Sequence, residues 1–328
     1  MNKKFQKIIS TLLLTALFIN TLFINSVFAT DGQNQTGFSE NQIKQIKKEI
    51  EATYSNDEDK ANAFFIFIGL DERWLDNFTK ERKIEIYNTA NAVGVLNEYF
   101  VETTNGITEE ISEEEYTVQE KAQKGKKSAG TSSRSIDSGT EEETDSYFKK
   151  TLIWIGTNDN SGYYAVITTF EWLTPPINRG VDALFLSSSS GTFDSSRSGC
   201  AVEYKQTAYW GTSVVTDEIV EEFDENDTDN ILKTSNYIGY KFNLPNDTTS
   251  ISTSVDVSDL AIMLACGYYV ENPGLITNFS LYGTYFHRII TISTSVSVKS
   301  VTDGNITLSL KSHFKDYTID KTLTYRPQ

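Results

Sequence analysis

Cysteine, histidine, methionine and proline are scarce in this 328-residue chain, with two, two, two and five of each. Each scarcity excludes something. His287 and His313 sit on separate strand-like segments, and Cys200 and Cys266 lie far apart. No close His/Cys/Asp spacing therefore offers a transition metal its three or four ligands, and no metal or other cofactor is expected. No Gly-x-Ser-x-Gly elbow, His-Glu-x-x-His helix, Walker loop or Gly-x-Gly-x-x-Gly turn occurs, so no catalytic residue is assigned. Positive charge is also short: 29 Lys and Arg stand against 45 Asp and Glu, a net charge of −16. Such a surface repels phosphate backbones and anionic headgroups, which excludes nucleic acid as a partner. Beyond the first thirty residues no apolar run is long enough to span a bilayer, so no stable membrane anchor is expected.

What is present begins with an address. MNKKFQKIISTLLLTALFINTLFINSVFA has a basic start at Lys3, Lys4 and Lys7, an apolar stretch from Ile8 to Ile24, and a small-residue exit at Val27-Phe28-Ala29. This is the pattern of a signal peptide over residues 1–29, cut after Ala29, and predicts a secreted, extracellular or cell-wall associated protein. In an exported chain Cys200 and Cys266 are candidates for a disulfide closing a 66-residue loop. Two buried free thiols are the other reading, because cysteine packs well as a small hydrophobe.

The fold class expected is α+β. Residues 30–108 read as an acidic helical unit with a possible hairpin. Ser39 is a candidate N-cap with Gln42 as its capping-box partner. Ile43, Ile46, Ile50 and Tyr54 then recur along one helical face. Residues 56–69 predict a second helix ending at Gly69, and Thr79 is a candidate cap for a later one. Asn105-Gly106 is a strong hairpin turn signal. From 109 to 146 the chain loses its apolar content and mixes Ser, Thr and Gly with charge blocks, among them Lys121, Lys124, Lys126 and Lys127. That stretch predicts a disordered linker between two parts.

Residues 147–328 carry eight to ten short β-branched and aromatic runs without helical periodicity, which predicts an antiparallel β-sandwich. One run, FEWLTPPINRGVD (170–182), ends against two prolines that cannot join a hydrogen-bonded ladder. Phe170 and Trp172 alternate onto one sheet face, and Arg179 and Asp182 stand across Gly180. Trp172, Arg179 and Asp182 are the candidate binding residues. This stretch, together with SYFKKTLIWIG, GYYAVITTF and GYKFNLP, resembles uncharacterised β-rich secreted proteins of Gram-positive bacteria with a Trp-Leu-x-Pro-Pro corner. The resemblance covers about residues 147 to 290. It implies the architecture and carries no site residues.

The leading reading is a secreted, non-enzymatic protein that binds an extracellular or cell-surface ligand, a glycan or a protein. Two alternatives stay open. A hydrolase built on paired carboxylates would draw on Glu171, Asp182 or Glu203. A β-hairpin pore-forming protein would use the alternating segment 290–310, which turns at Asp303-Gly304.

Overall fold

The computed structural model describes residues 34–103, 107–128, 145–157, 162–173, 180–210, 213–244, 248–249, 253–272, 274–275, 277–288, 296–309 and 314–325. The expected signal peptide, Arg179, His313, the double-proline corner and the second half of the expected linker lie outside those residues.

Local rules account for the helices. In α1 (Glu40–Thr53) the Gln42 side chain accepts the Ser39 backbone N–H at 2.8 Å, and Ile43, Ile46 and Ile50 are buried. Asn56 caps α2 (Asp57–Phe67), whose first turn holds three acids where the positive helix end favours them. Gly69 follows at φ +94°, a backbone region open to glycine. A short 3-10 segment (Glu72–Asn77) leads into α3 (Lys80–Thr89), where the Thr79 hydroxyl accepts the Arg82 N–H at 3.2 Å.

The chain is mostly β, and its sheets are antiparallel. The larger sheet runs β1 (Asn34–Phe38), β2 (Ala90–Glu102), β4 (Ser146–Thr157), β5 (Tyr163–Trp172), β12 (Thr253–Tyr269), β7 (Thr192–Trp210), β8 (Ser213–Asp224). Short strands β3 (Thr108–Ile111) and β11 (Thr248–Thr249) add to β2 and β12. The smaller sheet runs β16 (Phe314–Tyr325), β13 (Thr277–Arg288), β6 (Val181–Ser188), β10 (Tyr237–Asn243), β9 (Ile231–Lys233). A hairpin of β14 (Val298–Thr302) and β15 (Asn305–Leu308) stands apart, turning at Asp303 and Gly304, both at positive φ.

Alternation along the strands divides the apolar side chains among three cores. Leu152 and Trp154 of β4 join Phe170, Trp172 and Leu264 in a core shared with Leu184, Tyr240 and Tyr285 of the smaller sheet. Their neighbours Ile153, Ile155, Ile167 and Met263 face the other way, onto α1, α2, the 3-10 segment and α3. Behind the smaller sheet, Phe185 and Phe286 pack under Val296, Ile306 and Leu308 of the β14–β15 hairpin. The segment read above as a pore hairpin thus buries its apolar side chains within the protein along its described part.

Three expectations need correction. The boundary placed between residues 108 and 147 falls inside one sheet, because β2 pairs with β4 from Glu102↔Ser146 to Ala90↔Thr157. The helices roof that same sheet, so the acidic unit shares its core with the strands that follow. The linker expected over 109–146 is structured in its first half. There β3 pairs antiparallel with β2 on the far side of Asn105-Gly106, which lie outside the described residues, and helix α4 spans Glu113–Ser128. The helix is started by Ser112, whose hydroxyl accepts the Glu115 N–H at 3.2 Å, and is pinned by Tyr116 against Tyr99 at 5.1 Å between ring centres. One buried aromatic anchors a helix whose composition is otherwise that of a solvated segment. Of the two readings of Cys200 and Cys266, the structure has the second: both are buried as free thiols.

Candidate functional site

Where the helical roof meets β7 and β8, the roof stops short of the sheet edge. A cleft of ≈ 550 Å³ opens there, lined from α3, β5, β7, β8, β12 and the turn after β8. Its floor is the outer face of the larger sheet, an apolar surface of Ala165, Ile167, Met263, Ala265 and Gly199. Ile86 and Phe78 close it from the roof.

One wall is cationic, formed by Arg82 and Arg197, which are held from outside the lining by Tyr163 and Glu85. Arg82 donates through Nη2 to the Tyr163 hydroxyl, and its guanidinium carbon sits 5.5 Å from that ring's centre. Arg197 lies over the same ring at 5.4 Å. Glu85 bridges the two, accepting from Arg82 at 2.8 Å and from Arg197 at 3.0 Å. The Tyr163 hydroxyl and Glu85 hold the Arg197 guanidinium firmly protonated, outweighing partial burial. Tyr269 packs on Tyr163 at 4.9 Å and is 37% exposed.

The facing wall carries Glu222, Asp224 and Asp227. Asn77 at the end of the 3-10 segment donates to Glu222 at 3.1 Å, tying that wall to the roof. The Asp224 carboxylate accepts the Asn226 N–H at 2.7 Å, and that of Asp227 accepts the Asp224 N–H at 2.8 Å. The acidic run 221–230 is therefore the end of a strand and a tight turn that aims carboxylates into a cleft. Burial pushes the thiols of Cys200 and Cys266 well up, so neither is an activated nucleophile.

The residues singled out from the sequence lie elsewhere. Trp172 is buried in the inter-sheet core against Phe148, at 4.4 Å between ring centres. Asp182 is fully buried on β6 and accepts from the Tyr285 hydroxyl, from His287 Nδ1 at 2.9 Å and from the Arg288 N–H at 3.0 Å. Trp172 lies 6.4 Å from His287 between ring centres, so the structure brings Trp172 and Asp182 into one cluster at an end of the core. That cluster is closed: His287 and Trp172 are 4% and 2% exposed. It ties β5, β6 and β13 together and presents no surface to a ligand.

Of the three carboxylates considered for hydrolysis, Glu171 and Glu203 share a row, both registered with Ala261 from opposite sides. Two strand spacings, about 9.5 Å, separate their backbones. Burial works against the charge of Arg73, yet Glu171, Asp71 and Glu203 outweigh it and raise its pKa. Burial likewise raises the Glu203 carboxyl, with Arg73 opposing. The arrangement reads as a neutralised charge cluster under the 3-10 segment. Asp182, on the other sheet, takes no part in it. Among the described residues no group of three or more His, Cys, Asp or Glu side chains is placed to hold a metal, and no helix is long and apolar enough to cross a membrane.

Sequence reasoning missed Arg82, Tyr163 and Arg197. The i,i+3 pair Arg82–Glu85 is visible in the sequence as a helix-surface pair, but nothing local connects it to residues 81 and 112 positions further on.

No protein family matches the chain, and no curated protein matches it. Solved structures that share some of its geometry include a pore forming protein, 7% identical over 57% of this chain and 89% of that one, with a TM-score of 0.24. Clostridium perfringens delta-toxin is 8% identical over 57% and 86%, with a TM-score of 0.19. The Fe(II)/α-ketoglutarate-dependent dioxygenase TqaL is 6% identical over 84% and 94%, with a TM-score of 0.15. At these scores none of the likenesses bears on fold or function.

Proposed function

We propose that this chain is a secreted, non-enzymatic binding protein in which two sheets form a β-sandwich, and that it takes a hydroxyl-rich extracellular ligand, a glycan, in the cleft beside β8. One observation supports this reading above the others: an apolar floor lies between a donor wall and an acceptor wall in a cleft of ≈ 550 Å³. A sugar ring has the matching anatomy, with an apolar face of C–H groups and an edge of hydroxyls that both donate and accept. Arg197 donates from one side, and Glu222 and Asp224 accept from the other. Cys200 and Cys266, which line the cleft, offer no activated thiol to such a ligand.

The test is a glycan array followed by titration calorimetry on the best binder. Arg197→Ala and Glu222→Ala should each weaken binding about tenfold, the loss of one charge-assisted hydrogen bond. Lys44→Ala, on the exposed side of α1, should leave it unchanged. Silence across the array and across cell-wall fragments, or binding indifferent to both cleft substitutions, overturns the reading.

A further inference from the structure

Beyond Tyr204, Ile219 and Val257, strands β7, β8 and β12 run on without contributing a residue to any of the three cores. Their pairing continues regardless, to Trp210↔Ser213 and Thr253↔Trp210. The result is a ribbon projecting from the larger sheet, with solvent on both faces. Its end is apolar. Trp210, Val214 and Val215 are 51%, 59% and 42% exposed, and Tyr209 is half-buried beside them.

The register shows how these side chains are shared out. Tyr209 pairs with Val214, and Ala208 with Val215. Because successive side chains alternate, Tyr209 and Val214 stand on one face while Trp210 and Val215 stand on the other. A partner protein laid against the ribbon would cover one pair and leave the other in water. A lipid–water interface surrounds the end and covers both.

Two further features fit such a surface. Asp217 and Glu218, on opposite faces, are the first carboxylates along β8, and Asp256 of β12, paired with Thr207, lies one residue nearer the end. The two on β8 lie three residues from Val214 and Val215, about 10 Å at roughly 3.4 Å per residue. An interfacial element buries about 5–10 Å into the headgroup region. Tyrosine and tryptophan, apolar bodies with one polar atom, are the side chains that settle at that depth. We propose that the end of the β7–β8 ribbon docks reversibly on a neutral, phosphatidylcholine-type lipid surface. The net charge of −16 sets the preference for neutral over anionic lipid. This is independent of the cleft, which lies at the opposite end of the β7–β8 pairing, near Gly199↔Asp224.

The chain carries its own reporter. Of the four tryptophans, Trp74, Trp154 and Trp172 are buried and Trp210 is exposed. Purified protein titrated with phosphatidylcholine vesicles should show a blue-shifted emission and protection from an aqueous quencher, and should co-sediment with the vesicles. Trp210→Phe should abolish the spectral change while preserving sedimentation. Trp210→Ser and Val215→Ser should each weaken partitioning about tenfold, the transfer cost of one such side chain. Val220→Ser, equally exposed but nearer the body of the sheet, should not. Doping the vesicles with phosphatidylserine should weaken binding, and Asp217→Asn with Glu218→Gln should relieve part of that loss. No sedimentation with neutral vesicles overturns the proposal, as does sedimentation indifferent to Trp210→Ser and Val215→Ser. Self-association in solution that these two substitutions abolish would make a second copy the occupant and overturn it equally.

Discussion

The outer faces of the two sheets meet the same need in opposite ways. The larger sheet presents no rings to the helices among its core residues Ile153, Ile155, Ile167 and Met263, interspersed with Ala165, Ala201, Ala261 and Ala265, and the helices supply the aromatic bulk with Phe64, Phe65 and Trp74. The smaller sheet supplies its own bulk with Phe185 and Phe286, and a short hairpin covers them with Val296, Ile306 and Leu308. Helices are wide cylinders and need a shallow floor to approach closely, whereas a two-stranded ribbon is thin and needs rings to lean on. Side-chain size on an outer face thus records what lies above it. The cleft follows from this: the floor without rings continues beyond the reach of the roof, and space is left where no helix fills it.

The comparison can be broken by removing bulk from each roof. Trp74→Ala empties the centre of the helical roof at a fully buried position, and should cost about 3–5 kcal/mol in denaturant unfolding. Ile306→Ala, 8% exposed in the hairpin roof, should cost about 2 kcal/mol. Equal losses would mean that the two roofs contribute alike. Filling space tests the reverse side. Gly239 lies under the Phe185 ring, where an added Cβ would stand 2.1 Å from Cδ1. Gly239→Ala should therefore displace that ring from under the hairpin and cost about 2 kcal/mol, visible as a lowered midpoint with unchanged slope.

The smallest effect comes from acid. Burial raises the Asp71 carboxyl, but the charge and hydrogen bonds of Arg73 outweigh it, and the folded value lies below the ordinary 3.8. A depressed carboxyl stabilises the fold above pH 3.8, and that contribution disappears as pH falls through the folded value. Asp71 is 40% exposed in its side chain, so solvent screening keeps the amount under about 1 kcal/mol. Asp71→Asn should remove this part of the acid sensitivity, seen by comparing unfolding midpoints on either side of pH 3.8.

Local signals in the sequence were legible. The Ser39–Gln42 box, the Thr79 cap, the stop at Gly69, the Asp303-Gly304 turn and the inward alternation of Phe170 and Trp172 depend on neighbours within a few positions, and the structure shows each. Helix α4 had a signal too: Ser112 followed by Glu115 is a capping-box spacing. Its polar composition masked that signal, because among its described side chains Tyr116 is the buried apolar one. What could not be read was pairing. Nothing in β2 names β4, some fifty residues later, as its neighbour, and the division of the chain went wrong there. The cleft draws on segments from Asn77 to Cys266, each unremarkable alone, so its walls exist only once the registers are known. Asp182 shows the converse. It looked like a ligand group because it is a charge beside an apolar run, and it is a buried acceptor satisfied by three donors.

Strand order in the larger sheet has a consequence for the growing chain. β12 lies between β5 and β7, and both hydrogen-bond to it along most of its length. Until residues 253–269 leave the ribosome, β5 and β7 each present an open edge. The interval from Trp172 to Thr253, at roughly 5–20 residues per second, lasts about 4–16 s. In the later part of that interval, once β7 and β8 have been made, the half-built sheet exists as two separate pieces with unpaired backbone and alternating apolar rows, the form in which strands adhere to the wrong partner. A chaperone that shields β5 and β7 would matter most in that interval, and chains stalled before residue 253 should be the ones that aggregate.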